Sequence, residues 1–210
     1  MRKCRVVALM VNLIILGSCL PIIAQQSKRY PTENELQPLM NLFRNFVASP
    51  PPRNHDFYIR DRRNETENQK LKAFVRSWLP VNPDVAPFLG QWTALKKETQ
   101  NIYPSTLKGK VCIIETFIPR GNDMGISFAQ GTISGKSIKT TNFASLIQQG
   151  NYLGVVFIQI KNNEPGMLEY AWPKPLVAPA KLMSSLPPAD RNRLLQQFKK
   201  AGCSDTLPKR

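Results

Sequence analysis

Between about residues 88 and 173 the chain is a series of short β-forming runs separated by turn residues, and this pattern limits the fold more than any other feature. Residues 89–97 contain Gly90-Gln91-Trp92. Residues 110–118 read Lys-Val-Cys-Ile-Ile-Glu-Thr-Phe-Ile, rich in types that favour a pleated backbone. Segments 125–133 and 136–141 flank Ser134-Gly135, a tight-hairpin signal. Segment 152–161 holds Val155-Val156-Phe157-Ile158, the pattern of a strand buried on both faces. Glu164-Pro165-Gly166 marks a turn before a last run at 167–172. Residues 143–149 fit either a strand or one helical turn. Six strands are expected, or seven with that segment. Short strands with frequent turns argue an antiparallel sheet curled into a barrel, roll or sandwich.

Helical signals flank this region. In 25–87, Thr32 and Glu35 have the spacing of a capping box, and Leu36, Leu39, Met40, Phe43 and Val47 follow at helical period. Pro38 interrupts them, which predicts a helix that begins with Pro38 in its first turn or kinks there. Residues 53–63 read as a polar connector. Asn64 with Glu67 caps a second helix with the stripe Leu71, Phe74, Val75 and Trp78. In 174–210, prolines 173, 175 and 179 predict an extended crossing. Pro187-Pro188 then opens a final helix with apolar face Leu194, Leu195, Phe198 and Ala201, ended by Gly202. The fold class expected is α+β: a curled antiparallel barrel or roll at 88–173, two N-terminal helices, and one C-terminal helix packed on it.

The N-terminus carries a targeting signal. Arg2, Lys3 and Arg5 precede an apolar stretch, Pro21 breaks it, and Ile22 and Ala24 occupy the −3 and −1 positions of a cleavage site. Residues 1–24 therefore read as a secretory leader, and the mature chain is expected outside the cytosol with no transmembrane helix. Leu16-Gly17-Ser18-Cys19 offers a second reading, lipid anchoring through Cys19. Cleavage after Ala24 removes Cys4 and Cys19 and leaves Cys112 and Cys203. Two cysteines in an exported chain suggest one disulfide, with two buried thiols as the alternative.

Two resemblances bear on these readings. Gly90-Gln91-Trp92 is similar to the Gly-x-Trp of lipocalin-like barrels, where the tryptophan opens the first strand and packs across the barrel floor. Ala86-Pro87-Phe88-Leu89, Ile102-Tyr103-Pro104-Ser105, Lys108-Gly109-Lys110-Val111-Cys112, Gln149-Gly150-Asn151-Tyr152-Leu153-Gly154 and Gln196-Gln197-Phe198 resemble a family of uncharacterised exported cyanobacterial proteins. That resemblance implies the compartment and the pairing of Cys112 with Cys203. It implies no activity.

Composition narrows function further. A single histidine, His55, leaves no His-rich metal site, and no phosphate-loop, dinucleotide or paired-cysteine motif occurs. No catalytic residue, metal or cofactor is assigned, and an enzyme is not expected. The acids of the β segment are Glu115, Asp123, Glu164 and Glu169. Glu115 stands in an apolar strand and is expected to face outward. Lys+Arg number 29 against 14 Asp+Glu, a net charge of +15. The basic residues are scattered, and export argues against a nucleic-acid partner. Trp92, Phe128, Tyr152, Phe157 and Trp172 fall on expected strands as core or pocket aromatics. The function expected is a non-enzymatic binding module for a small apolar ligand at the barrel mouth. The alternative is a basic protein that docks on anionic envelope polymers, lipid head groups or a protein partner.

Overall fold

A computed structural model of the chain describes residues 29–49, 55–95, 97–118 and 125–208. The expected leader with Cys4 and Cys19 lies outside the described residues, as does Asp123.

Among the described residues eight strands form one sheet: β1 Gly90–Ala94, β2 Thr99–Pro104, β3 Lys110–Phe117, β4 Gly125–Ser134, β5 Ser137–Thr140, β6 Ser145–Gln149, β7 Tyr152–Ile158 and β8 Pro165–Lys174. Each pairs antiparallel with the next, and β1 pairs antiparallel with β8, so the sheet closes into a barrel. Closure removes the exposed edges that an open sheet of short strands would carry.

The expected six or seven strands become eight. The ambiguous segment 143–149 supplies β6. Strand β2 was missed because Thr99-Gln100-Asn101 has no apolar alternation and Pro104 ends it. Inside the sheet Gln100 is 4% exposed and Asn101 is fully buried. Asn101 Nδ2 donates to Thr99 Oγ1 and to the Ile114 carbonyl, while its Oδ1 is buried without a partner. The hairpin expected at Ser134-Gly135 is present, with Gly135 at φ 61.

Helix α1, Glu33–Ala48, starts earlier than expected and runs through Pro38. The loss of one backbone donor is offset locally. Thr32 and Glu35 form a complete capping box, and the Arg29 guanidinium grips the Glu35 carboxylate at 2.8 and 2.9 Å. These contacts hold the Glu35 carboxyl down at about 2, with Arg29 the largest cause and the Thr32 N–H the next. Helix α2, His55–Ile59, occupies what had read as polar connector. Helix α3, Glu65–Trp78, is capped by Asn64 and Glu67 as expected. A 3-10 turn follows at Ala86–Phe88, and α4, Pro179–Leu182, interrupts the expected extended crossing. Helix α5, Pro188–Lys200, is the expected final helix.

Three apolar clusters hold these layers together. The barrel interior and its lower closure contain Trp92, Ile102, Val111, Ile138, Leu146, Leu153 and Tyr170, with Trp78, Val85, Phe88 and Leu89 beneath them. Outside, Tyr103, Cys112 and Ile114 pack against Leu194 and Phe198 of α5. On another outer face Ile147 and Val156 meet Phe43 of α1. The barrel therefore has a closed end, where β1 starts and α3 lies across, and an open end at the connections β1–β2, β3–β4, β5–β6 and β7–β8. Cys112 of β3 is bonded to Cys203, just past α5, with Cα atoms 6.0 Å apart.

Candidate functional site at the open end of the barrel

Strand alternation decides what faces inward. Trp92, Gln100, Glu115 and Ser127 stand opposite one another on β1, β2, β3 and β4, forming one cross-strand row inside the barrel. Glu115 thus points into the barrel, not outward as expected. The register is fixed by its neighbours: Ile114 and Cys112 turn to the face that α5 covers, which leaves Glu115 and Ile113 for the interior.

Around Glu115 the interior changes from apolar to polar. Ser127 Oγ donates to Glu115 Oε2 at 3.2 Å. Gln100 Nε2 lies 3.5 Å from the Tyr170 hydroxyl, which is fully buried. Thr140 and Asn142 close the far wall, with Ile113, Ala129, Leu146 and Val155 between. Burial pushes the Glu115 carboxyl up, and the nearby Glu98 charge pushes the same way, while Ser127 and Gln100 oppose. Burial is also the main cause that raises Tyr170. Among the described residues no cation forms an ion pair with Glu115.

The space is small. It measures about 280 Å³ counted with its open mouth, and the part enclosed by protein is far smaller. That is room for roughly one water or one group of that size. Below it the barrel is filled by its own side chains, as small closed barrels generally are.

The rim is strained. Lys97, Phe143 and Asn163 have φ of 64, 64 and 54, and all three lie on open-end connections. Asparagine tolerates this region; an aromatic such as Phe143 does not adopt it readily. Phe143 is held by Tyr30, whose ring meets it edge-on at 5.4 Å and whose hydroxyl donates to the Thr140 carbonyl at 2.6 Å. The N-terminal segment before α1 thus lies against the open-end rim.

The five aromatics read from the sequence do not converge on one site, although the rings of Tyr152 and Trp172 lie together with centres 5.9 Å apart. Trp92 faces inward, fully buried, and donates from Nε1 to the Phe88 carbonyl at 2.7 Å. Phe157 also faces inward, packed against the interior cluster. Phe128 is on the outer face against Phe198. Tyr152 and Trp172 are outside, donating to the carbonyls of Tyr58 and Phe57 at 2.7 and 3.1 Å. The Arg63 guanidinium lies 5.5 Å from the centre of the Trp172 ring. Gln100, Ser127 and Asn142 escaped sequence reading, because only strand pairing brings them to Glu115.

Among the described residues no group of three or more His, Cys, Asp or Glu could hold a metal ion, and no helix is long and apolar enough to cross a membrane. No protein-family model, curated protein or solved structure matches this chain.

Proposed function

We propose that this chain is an exported, non-enzymatic binding module whose site is the open end of the barrel, and that its ligand is a small molecule with an apolar body and a primary ammonium head. One observation carries the reading: Glu115 is turned into the barrel among neutral side chains, with no cation paired to it among the described residues. A carboxylate taken out of water without a partner is costly, so the site favours either a proton or a cation there. A water-sized space beside Glu115, Gln100 and Ser127 suits an –NH₃⁺ group and is too small for a quaternary ammonium. Phe157, and Leu168 at 37% exposure, give an apolar body somewhere to lie toward the rim. The net charge of +15 repels cations at long range, but this is screened beyond about 8 Å at physiological salt. Selection is therefore made at contact.

Gly90-Gln91-Trp92 opening the first strand, with Trp92 packed over the closed end, supports the lipocalin-like comparison as part of this proposal. Export rests on the leader read at 1–24.

Calorimetric titration with hexylammonium, hexanol and hexanoate at pH 8 tests the proposal. Hexylammonium should bind more tightly than hexanol, and Glu115→Gln should weaken the amine at least about tenfold while leaving the alcohol unchanged. Stronger binding of hexanoate, or no binding of any probe, would overturn it.

A further inference from the structure

The closed end of the barrel carries a feature that the ligand site does not explain. Four apolar side chains are about half exposed or more there: Leu79 at 48%, Val81 at 47%, Leu107 at 58% and Leu207 at 61%. They come from three separate segments that hydrogen bonds draw together. The Gly109 N–H donates to Asn82 Oδ1 at 3.0 Å, joining the β2–β3 turn to the segment after α3. Trp78 Nε1 donates to the Thr206 carbonyl at 3.1 Å, bringing Leu207 beside the end of α3. The Thr106 N–H donates to the Gly202 carbonyl at 2.8 Å, tying the turn to the C-terminal segment. Single exposed leucines are common, but several gathered on one end of a small domain mark a contact surface.

The charges around this cluster are unequal. Arg76, Lys108, Lys110 and Lys136 lie on the same end, and Asp84 and Asp205 are the acids beside them. None of the four cations is in an ion pair among the described residues. Lys110 Nζ donates to Thr132 Oγ1, which orients it along the β3–β4 edge at this end. Lys209 and Arg210 follow Leu207 and Pro208 in sequence.

From apolar side chains inside a ring of excess positive charge, we infer that the closed end docks peripherally on an anionic lipid surface. Leu79, Val81, Leu107 and Leu207 enter the head-group region, and the surrounding cations meet the lipid phosphates. Charge complementarity selects this occupant. A neutral apolar partner would gain nothing from four cations, and a second copy would bring them against their like. The opposite end, with Glu115, would then face away from the membrane and stay open to solvent. This inference is independent of the ligand proposal and stands or falls separately.

The test is co-sedimentation of the oxidised protein with vesicles of pure phosphatidylcholine and of phosphatidylcholine with 30% phosphatidylglycerol. We expect binding to the anionic vesicles at least about tenfold stronger than to the neutral ones, reduced by 0.5 M salt. A Leu107→Asp, Leu207→Asp variant changes two exposed positions, so folding should be retained by circular dichroism. It should lose most of that binding. A Lys139→Glu, Lys161→Glu variant, which changes two exposed positions toward the open end, should keep it. Failure to bind anionic vesicles overturns the inference. So does binding that the leucine variant leaves intact, because general charge would then suffice. A dimer in sedimentation velocity that the leucine variant dissociates would instead show this end to be a contact between copies, and also overturns it.

Discussion

Reducing the Cys112–Cys203 bond should lower stability without changing the native fold. The bond closes a loop of 91 residues. In the chain-entropy account a link of that span restricts the unfolded ensemble by about 4.6 kcal/mol at 25 °C. The native state has other means of holding the C-terminal segment. Ser105 Oγ donates to the Ala201 carbonyl at 2.7 Å, and the N–H groups of Thr106 and Ser204 donate to the carbonyls of Gly202 and Pro104 at 2.8 and 3.0 Å. Leu194, Phe198 and Ala201 remain buried against Tyr103, Ile114 and Met183. The loss should therefore come from a freer unfolded chain. With a urea dependence of about 2 kcal/mol per molar, the unfolding midpoint should fall by about 2 M when the protein is reduced in denaturant and refolded under reductant. The assay is paired urea titration by circular dichroism, with near-ultraviolet spectra taken in the absence of urea. Midpoints within about 0.5 M of each other would refute the reasoning. A near-ultraviolet spectrum that collapses on reduction alone would refute it differently, by showing that the bond holds the native packing itself.

Three further outcomes follow from particular residues. Gly131→Ala should destabilise the barrel by about 1–3 kcal/mol, because a Cβ there comes within 2.7 Å of Val111 and closer still to Ile138; thermal melting reads it. Asn64→Ala should cost about 1 kcal/mol by urea titration, since it removes the cap of α3 and one half of the reciprocal bonding with Glu67. Glu115→Gln should raise the melting temperature at pH 8 and leave it unchanged at pH 4. The Glu115 carboxyl is raised in the fold, so its favourable neutral form is fully present below the ordinary carboxylate range and is lost as pH rises through the raised value. A variant equally shifted at both pH values would contradict that assignment.

Several elements were legible because their residues signal their environment locally. The apolar runs at Val111–Ile114 and Leu153–Ile158, the hairpin glycine at 135 and the capping pair Asn64 and Glu67 each say what they do within a few residues. Strand β2 was not legible, since Gln100 and Asn101 are polar and their partners Tyr170 and Ile114 lie on other strands. Helix α1 was legible in its capping pair Thr32 and Glu35, and not in its early start or its passage through Pro38, where contacts from Arg29 and Phe43 outweigh a local rule.

The sequence by itself determined the short antiparallel strands, the capped helices and the pair of cysteines, because periodicity, capping and turn chemistry act between near neighbours. Only the tertiary structure decided that the sheet closes on itself through β1 and β8. That closure fixed which side of each strand is inside. It turned Glu115 into the barrel beside Gln100 and Ser127, sent Phe128, Tyr152 and Trp172 to outer faces under helices, and brought Leu79, Val81, Leu107 and Leu207 to one end. Side-chain direction in a strand has period two, so register across paired strands settles the contents of the site, and register is a property of the whole sheet.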